Sequence, residues 1–545
     1  MDMRRLFLFL IFSFSLVVLW GAWARQNQPV APVEAESASK DPSVPVEPVK
    51  PVQQTIAAAP VETQKSPTGN KVVVTTDTFS AEINTAGGNI QHLDLLQHKD
   101  ANDQSKPLTL LQQRGEHTYV AQSGLLGKGL PTHNSLFSVR GEEFHLAEGK
   151  DTLEVRLTAL ETGETSVTKV YTFHRGSYLI DVAYEIVNHG TATLIPSAYF
   201  QLVRDSTPAG GSSKFVPTFT GPAVYTEQEK FNKIEFSDIE KNKAKLPAKP
   251  DNGWIGMLQH YFVSAWLPAL KGPREFYTKK LDGNVFSAGV VMPISSIEPG
   301  QTGRISVAFY AGPAQTKLDE IAPGLGLTVD YGWLTVFSTP LFWLMSHLND
   351  WVHNWGVAII LLTVLIKLAF FPLSAASYRS MAKMRLVAPK LEKIKQQYSD
   401  DREKLNHAMM DLYKTEKSNP LGGCLPMLVQ IPVFIALYWA ILSSVELRHA
   451  PFFGWITDLS ATDPYYVLPL IMGASMLIQS KLNPLPPDPL QAKLMQVMPV
   501  VFSVVFFFFP AGLVLYSVVN NILSIAQQWY ITRGQDATHK GGTKT

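Results

Sequence analysis

The chain has 545 residues, with 47 Lys and Arg against 46 Asp and Glu, for a net charge of +1. Hydrophobic residues make up 46% and charged residues only 17%, which is too apolar for a single soluble domain. The near-neutral charge gives no indication of nucleic-acid binding, and the single cysteine, Cys424, excludes an internal disulfide. Because the apolar runs cluster toward the two ends, the composition predicts a membrane protein with a large soluble insert.

The chain opens with an apolar run that follows a pair of arginines. It is either a cleaved signal peptide or an amino-terminal transmembrane anchor at residues 1–24, and its length favours the anchor. Both alternatives place the amino terminus in the cytoplasm. Residues 25–70 are rich in proline and lack aromatic residues, which predicts a disordered tether.

Residues 71–321 alternate apolar and polar side chains in short segments such as KVVVTT and TLEVRL. Clusters of Gly, Asn and Pro separate these segments, so the pattern predicts one large β-sandwich. The region contains no glycine-rich phosphate loop and no metal-ligand spacing. We interpret His92, His98 and His117 as surface or core histidines.

Residues 331–354 place apolar side chains at helical spacing and contain no Lys or Arg. Tryptophan suits the level of the lipid headgroups, so we interpret this segment as an amphipathic helix on the outer membrane face, kinked near Pro340. A helix packed on the sandwich is the alternative.

Further apolar runs predict five transmembrane helices, or six with the anchor. They cover residues 355–373, 421–442, 465–480, 494–509 and 513–531. The connection 374–420 contains ten Lys or Arg residues and six acidic residues. In 443–464, Arg448 is the only Lys or Arg. This bias places 374–420 and both termini, including the tail 532–545, in the cytoplasm and the sandwich outside.

The connection 374–420 is charged and helical on both sides of Ser399-Asp400-Asp401, which predicts a cytoplasmic two-helix hairpin. Its candidate docking residues for a ribosome or a nascent chain are Tyr378, Met381, Met384 and Asp400. A solvated hairpin with no docking role is the alternative.

Lys367 lies inside an apolar run, where an ammonium group costs about 2.5–3.5 kcal/mol to insert. It is roughly 18 Å along the helix from Trp355, past the middle of a hydrocarbon core about 30 Å thick. The cost is offset either by snorkelling to the nearer headgroups or by a wet cavity that receives an acidic group.

The last predicted span has a polar face, because its polar residues recur in steps of three and four. They are Tyr516, Ser517, Asn520, Asn521, Ser524, Gln527 and Gln528. Amides in hydrocarbon are costly unless they face protein or water. Polar packing between helices is one explanation. The addition of Thr363 and Gln430 near Lys367 favours a hydrophilic groove.

Four sequence strings resemble the YidC-type membrane protein insertases of Gram-negative inner membranes, and the resemblance extends over the whole chain. They are Asn419-Pro-Leu-Gly-Gly-Cys424, Ser444-Val-Glu-Leu-Arg448, Asp463-Pro-Tyr-Tyr466 and Gly512-Leu-Val-Leu-Tyr516. The resemblance implies a five-helix insertase core whose groove opens to cytoplasm and lipid. It also implies a periplasmic β-supersandwich and partnership with the Sec translocon.

Within that resemblance, Lys367 occupies the position of the groove cation, and Gln430, Tyr516 and Ser517 fall on groove positions. Ser517 replaces a tyrosine that is common in the family. The expected function is insertion and folding of nascent membrane proteins in the lipid bilayer, with the ribosome and Sec translocon as partners and without a cofactor.

Two other functions compete with this expectation. An ion-coupled solute transporter would need intramembrane carboxylates or inverted repeats, and the predicted spans contain no Asp or Glu. A membrane-anchored carbohydrate-active protein would need paired carboxylates in 71–321, which the sequence does not indicate.

Overall fold

The computed structural model of the protein describes residues 69–100, 103–115, 117–208, 218–398, 401–416, 425–482 and 489–541. The predicted anchor at 1–24, all but the last two residues of the predicted tether, and Asp400 lie outside the described residues.

The predicted β-sandwich is confirmed. Apolar and polar residues alternate along its strands, so one face of each such strand is buried. In the strand Thr152–Ala159, Val155 and Leu157 are buried while Glu154 and Arg156 are exposed. In chain order the strands are β1 (Lys71–Thr75), β2 (Phe79–Asn84), β3 (Asn89–Lys99), β4 (Pro107–Arg114), β5 (His117–Leu126), β6 (Phe137–Val139), β7 (Glu143–His145), β8 (Thr152–Ala159), β9 (Thr165–His174), β10 (Leu179–Asn188), β11 (Ser197–Asp205), β12 (Thr220–Thr226), β13 (Lys230–Lys233), β14 (Trp254–Gln259), β15 (Phe262–Leu267), β16 (Glu275–Lys280), β17 (Val285–Pro293) and β18 (Thr302–Pro313).

The strands form two nine-stranded sheets. Their orders are β16-β17-β11-β5-β4-β3-β2-β1-β7 and β13-β12-β14-β15-β18-β10-β9-β8-β6. The pairings are antiparallel except that of β1 with β7. A large apolar core fills the space between the sheets, including Phe79, Tyr184 and Phe309.

The outer face of β14, β15 and β18 is also buried, because the chain after the sandwich folds back over it. This segment contains the short 3-10 helices Thr316–Glu320, Leu325–Thr328 and Gly332–Leu334. The Trp254 indole N–H donates to the Pro323 carbonyl at 3.0 Å. Leu318 and Leu325 join the same apolar cluster as the helices that follow, so the cluster is continuous between the sandwich and the helical region.

The helices follow in the second half of the chain, after one short helix within the sandwich. They are α1 (Phe236–Glu240), α2 (Thr335–Val352), α3 (Trp355–Ala369), α4 (Phe371–Gln397), α5 (Arg402–Thr415), α6 (Leu425–Ser443), α7 (Val467–Leu482), α8 (Pro489–Phe506) and α9 (Ala511–Gly541). Among the described residues, no single helix reaches the length and hydropathy of a membrane span, whereas α3 and α4 taken together do.

The predicted helix over 355–373 is divided in two. It ends at Ala369, and α4 begins at Phe371 at an angle of 66°. Pro372 lies at the start of α4, where its missing backbone N–H is tolerated. The residue before a proline disfavours the helical conformation, so a continuous helix through Phe371 is disfavoured. The bend therefore follows from the Phe-Phe-Pro sequence, and it lies less than one turn after Lys367.

Helix α2 packs one face on α3 and α6. Phe342 and Met345 are buried there, and the Ser338 hydroxyl donates to the Ala436 carbonyl of α6 at 2.9 Å. The opposite face exposes large apolar side chains, among them Trp343 and Trp351. The apolar residues of α2 are thus divided between the helical core and the surface.

Candidate functional site

Helices α3, α6 and α9 bring five of the predicted groove residues together, and we call this set the central polar cluster. Its members are Lys367, Gln430, Tyr516, Asn520 and Ser524. The Lys367 ammonium donates to the Ser524 hydroxyl at 2.7 Å. The Gln430 amide donates to the Tyr516 hydroxyl at 2.7 Å and to the Asn520 side-chain oxygen at 2.9 Å. The cluster therefore links all three helices.

The spacing on α9 explains why these side chains meet. Tyr516, Asn520 and Ser524 are four residues apart, so they stack on one face of the helix. The Ser524 hydroxyl in turn donates to the Asn520 carbonyl at 2.7 Å, which fixes it in place as an acceptor for Lys367. Each polar group of this face is directed at another polar group rather than at hydrocarbon.

Lys367 has a neutral partner. Among the described residues no Asp or Glu forms an ion pair with its ammonium group, and the side chain is half-buried. A carboxylate partner would neutralise the charge within the fold. A single hydroxyl leaves most of the three donors of the ammonium group available to another acceptor.

A narrow cleft lies beside Lys367 between α3, the start of α4, and α6. Its lining residues are Ile366, Lys367, Phe370, Leu373, Ser374, Val429, Gln430 and Val433. Lys367, Gln430 and Ser374 contribute polar side chains to the cleft, and its other lining residues are apolar. The cleft is small, with a volume of about 20 Å³, so it accommodates a polar group and not a whole segment.

Thr363 and Ser517 lie in the helical core but do not bond to the central polar cluster. Their hydroxyls donate to carbonyls of their own helices, Ile359 at 2.7 Å and Leu513 at 2.9 Å. Both side chains are buried. Because each hydroxyl already donates within its own helix, neither residue donates a hydrogen bond to the central polar cluster.

The polar stripe of α9 is divided between two neighbours. The Asn521 amide donates to the Ser475 hydroxyl of α7 at 3.1 Å, and the Gln528 amide donates to the Leu482 carbonyl at 3.2 Å. These residues join α9 to α7. One edge of the stripe thus contacts Lys367 of α3, and the other packs against α7.

The first turns of α4 contribute two serines that the sequence did not indicate, Ser374 and Ser377. Both are buried, and Ser374 lines the cleft. Tyr378, a predicted docking residue, is also buried and interacts with the Ser524 hydroxyl. The run of small residues after Pro372, Ser-Ala-Ala-Ser, was the available signal, since small side chains permit close helix approach.

The remaining hairpin residues lie farther along the chain. Met381 and Met384 are half-buried on α4, and Asp400 lies outside the described residues. The two arms of the hairpin, α4 and α5, are joined by an ion pair of 2.6 Å between Lys390 and Glu416. Asp401 caps the start of α5 by accepting two backbone N–H groups.

Two family models together match almost all of the chain beyond the predicted tether. One described as the YidC periplasmic domain matches residues 71–344, and one described as 60Kd inner membrane protein matches residues 347–538. A crystal structure of an active YidC insertase with its first transmembrane domain resolved covers 87% of this chain and 95% of its own, at 19% identity and a TM-score of 0.39.

Two full-length relatives are much more similar. The membrane protein insertase YidC of Nitrosospira multiformis is 54% identical, covering 98% of this chain and 97% of its own length. That of Aromatoleum aromaticum is also 54% identical and covers 99% of both chains. Identity of this extent shows a bacterial inner-membrane protein with a periplasmic domain, and the chain belongs to the YidC family of membrane protein insertases.

Proposed function

We propose that this protein inserts nascent membrane proteins into the bacterial inner membrane through a groove centred on Lys367. The observation that supports the site is the partial solvation of Lys367 by neutral groups. Its ammonium is bound by the Ser524 hydroxyl and lies next to the cleft that Gln430 also lines. Because a positive charge inside a membrane segment is costly, its presence there indicates a functional role.

In this mechanism the acidic or polar flank of a nascent segment enters the cleft. Lys367 and the central polar cluster replace part of the hydration that the flank loses, which lowers the cost of burying a polar group. The binding must stay weak, because a tight ion pair would hold the flank in place. A membrane potential assists acidic flanks in crossing.

The apolar part of the client leaves toward lipid. Helix α8 exposes a run of large apolar side chains, including Val497, Val501 and Phe502. A client segment that moves along this surface into lipid gains about 25 cal/mol for each Å² of apolar area removed from water. This gain drives the release of the client without nucleotide or redox chemistry.

We place the hairpin α4–α5 and both termini in the cytoplasm, with α2 on the periplasmic membrane surface. The excess of Lys and Arg in 374–420 supports this orientation. The exposed tryptophans of α2, Trp343 and Trp351, suit the headgroup level. In this arrangement the hairpin is the part available to a ribosome, and the Sec translocon is a partner within the membrane.

The test substitutes Lys367 and follows insertion of a radiolabelled single-span client by protease protection, at matched insertase levels. We expect Lys367→Arg to remain active, since guanidinium keeps the charge. Lys367→Ala should insert acidic-flanked clients poorly, and Lys367→Glu worse through like-charge repulsion. Clients that lack an acidic flank should be least affected.

The matched control is Lys481→Ala, which removes an exposed lysine near the end of α7. It should insert every client at the wild-type level. If Lys367→Ala and Lys367→Glu also insert every client as well as wild type, Lys367 has no electrostatic role and the lysine only snorkels.

A further inference from the structure

The sandwich meets the helical region along a contact with two unlike sides. On the first side Lys233 of β13 forms an ion pair with Asp330, whose carbonyl accepts the Ser443 hydroxyl at the end of α6. On the second side an open cavity of about 550 Å³ lies between the sandwich and the loop 444–466 that follows α6. The side chain of His260 lines both this cavity and a small pocket beside Lys233 and Asp330. It therefore lies at the boundary between the directly bonded side and the open side.

The tip of the β14–β15 hairpin makes the contact on the open side. Its turn consists of His260 and Tyr261. The His260 ring is hydrogen-bonded to the backbone of Leu442, and the Tyr261 side chain to that of Ser460. Val445 of the loop is 4% exposed and belongs to the apolar core cluster of the sandwich. The sandwich thus covers a residue that belongs to the helical half of the chain.

A second histidine, His98 of β3, lies beside the same hairpin. Its ring packs edge-on against the Phe262 ring, with the centroids 5.3 Å apart. The loop residues Arg448 and His449 act on His98 from the helical side, and Arg448 also acts on His260. Arginine stays charged at every pH at which a protein is folded. A proton added to either His98 or His260 is therefore placed near an existing positive charge.

Both histidines are neutral in the docked arrangement at neutral pH. Burial, together with the positive charge of Arg448, lowers the pKa of His98 and that of His260 to about 4. Asp100 and Asp458 act on Arg448, the cation of the loop itself. The other titratable groups around the two histidines are Lys233, Asp330, Tyr178 and Tyr261.

We propose that His98 and His260 form an acid-sensitive latch between the sandwich and the loop 444–466. The latch is closed at neutral pH and opens as the periplasm becomes more acidic. Opening moves both rings into water and away from Arg448, where they take up protons at the ordinary histidine pKa of about 6.5. The open state therefore binds more protons, and the closed state loses stability as the pH falls from about 6.5 toward about 4. The ion pair of Lys233 with Asp330 keeps the two halves together meanwhile.

The test measures thiol labelling of the full-length chain in detergent between pH 7.5 and pH 5, in a Cys424→Ser background. Val445→Cys provides a thiol that the sandwich covers, and Lys150→Cys provides one on the exposed surface of the sandwich. The ratio of the two rates of reaction with 4,4′-dithiodipyridine measures opening, because the intrinsic reactivity of the thiol cancels. We expect the ratio to rise by at most about 30-fold for each histidine as the pH falls. A ratio that does not change with pH would overturn the proposal.

Substitutions assign the rise to the two histidines. His260→Asn suits the turn, where φ is 44° and asparagine is among the residues that tolerate the left-handed region. His260→Asn and His98→Gln should each remove part of the rise, and the double variant should give a ratio that is independent of pH. His145→Gln removes an exposed histidine of β7 and should leave the rise unchanged.

The single variants decide if the double variant labels rapidly already at pH 7.5, since the contact is then lost at every pH. A rise that is undiminished in both single variants would show that other groups open the contact, and it would overturn the latch.

Discussion

At the scale of single residues, the central polar cluster can be separated from the contacts that only hold helices together. Gln430, which lines the cleft, bonds to Tyr516 and Asn520 of α9, whereas Asn521 bonds to α7. Hydrogen bonds between membrane helices are worth about 0.6 kcal/mol on average. Both sites therefore contribute a similar, modest stability, but only one faces the proposed client path.

We expect Gln430→Leu to reduce insertion of acidic-flanked clients by more than its loss of stability explains. Two lost bonds correspond to about 1 kcal/mol, which leaves most of the protein folded. Asn521→Leu, the matched control, should lower the unfolding temperature similarly and leave insertion near the wild-type level. The measurements are protease protection of the client and thermal unfolding in detergent. Equal loss of insertion in both variants would contradict a distinct role for the cluster.

Lys169 is a buried ionisable residue that the proposed function does not use. It is fully buried in the sandwich, with its ammonium 5.3 Å and 5.5 Å from the ring centroids of Tyr171 and Tyr184. Its hydrogen bond to the Gly87 carbonyl is long, at 3.3 Å. Burial lowers the pKa of Lys169 well below its usual value of 10.5.

The lowered pKa sets the sign of a pH dependence. Between the folded and unfolded pKa values the unfolded chain binds more protons, so stability rises with pH up to about 10.5. We expect Lys169→Met to stabilise the protein at pH 7, with an advantage that shrinks toward pH 10. Urea unfolding of the full chain in detergent, followed by circular dichroism, measures it. An advantage that does not change with pH would show that Lys169 is not titrating.

The residues of the site show what sequence can and cannot predict. Steps of four along α9 are enough to predict that Tyr516, Asn520 and Ser524 share one face of the helix. Thr363 and Ser517 lie at compatible positions, yet their hydroxyls bond to their own helices. Periodicity gives the direction of a side chain from the helix axis. The rotamer and the neighbouring helix decide which partner the side chain finds.

At the scale of elements, local signals were sufficient for the type of structure but not for its partners. Alternation along the strands predicted the sandwich, whereas the pairing of β11 with β5 and β17 joins residues far apart in the chain. The bend between α3 and α4 had a local signal at Pro372, which the apolar run concealed. A continuous run of apolar residues indicates that a segment is buried. It does not indicate whether the helix in that segment is straight.

The hairpin α4–α5 gives a prediction about orientation. Glu403 and Lys404 are exposed at the start of α5. Cysteine at either position, in a Cys424→Ser background, should resist a membrane-impermeant thiol reagent in intact spheroplasts and react after lysis. A cysteine at the exposed Lys150 of the sandwich is the control and should react before lysis. Labelling at 403 or 404 in intact spheroplasts would reverse the proposed topology.

At the scale of the whole molecule, the segment that follows the sandwich is attached to the helical region by side-chain contacts as well as by the chain. The Ser443 hydroxyl at the end of α6 donates to the Asp330 carbonyl at 2.5 Å. Leu325 and Val329 lie in one apolar cluster with residues of α3, α6 and α9. These contacts join residues far apart in the chain. No local sequence pattern predicts that these residues meet.

The same apolar cluster contains buried residues of all three helices that carry the site. They include Ile359 of α3, Ile441 of α6 and Leu513 of α9. The central polar cluster draws its members from the same three helices. No residue of the sandwich is a member of the central polar cluster, so we expect its geometry to survive without the sandwich.

Deletion of the sandwich tests this independence. Removing 71–300 alone would expose Leu318 and Leu325, which pack on the outer face of the second sheet, so the deletion should extend over 71–328 and keep Asp330 for Ser443. We expect this variant to be less stable than the full chain, because the apolar contacts with the sandwich are lost. It should still insert single-span clients, measured by protease protection at matched levels. Lys367→Glu in the same background should abolish insertion of the acidic-flanked clients. A truncated protein that accumulates stably yet inserts no client would show that the sandwich takes part in insertion and that the helical core is insufficient.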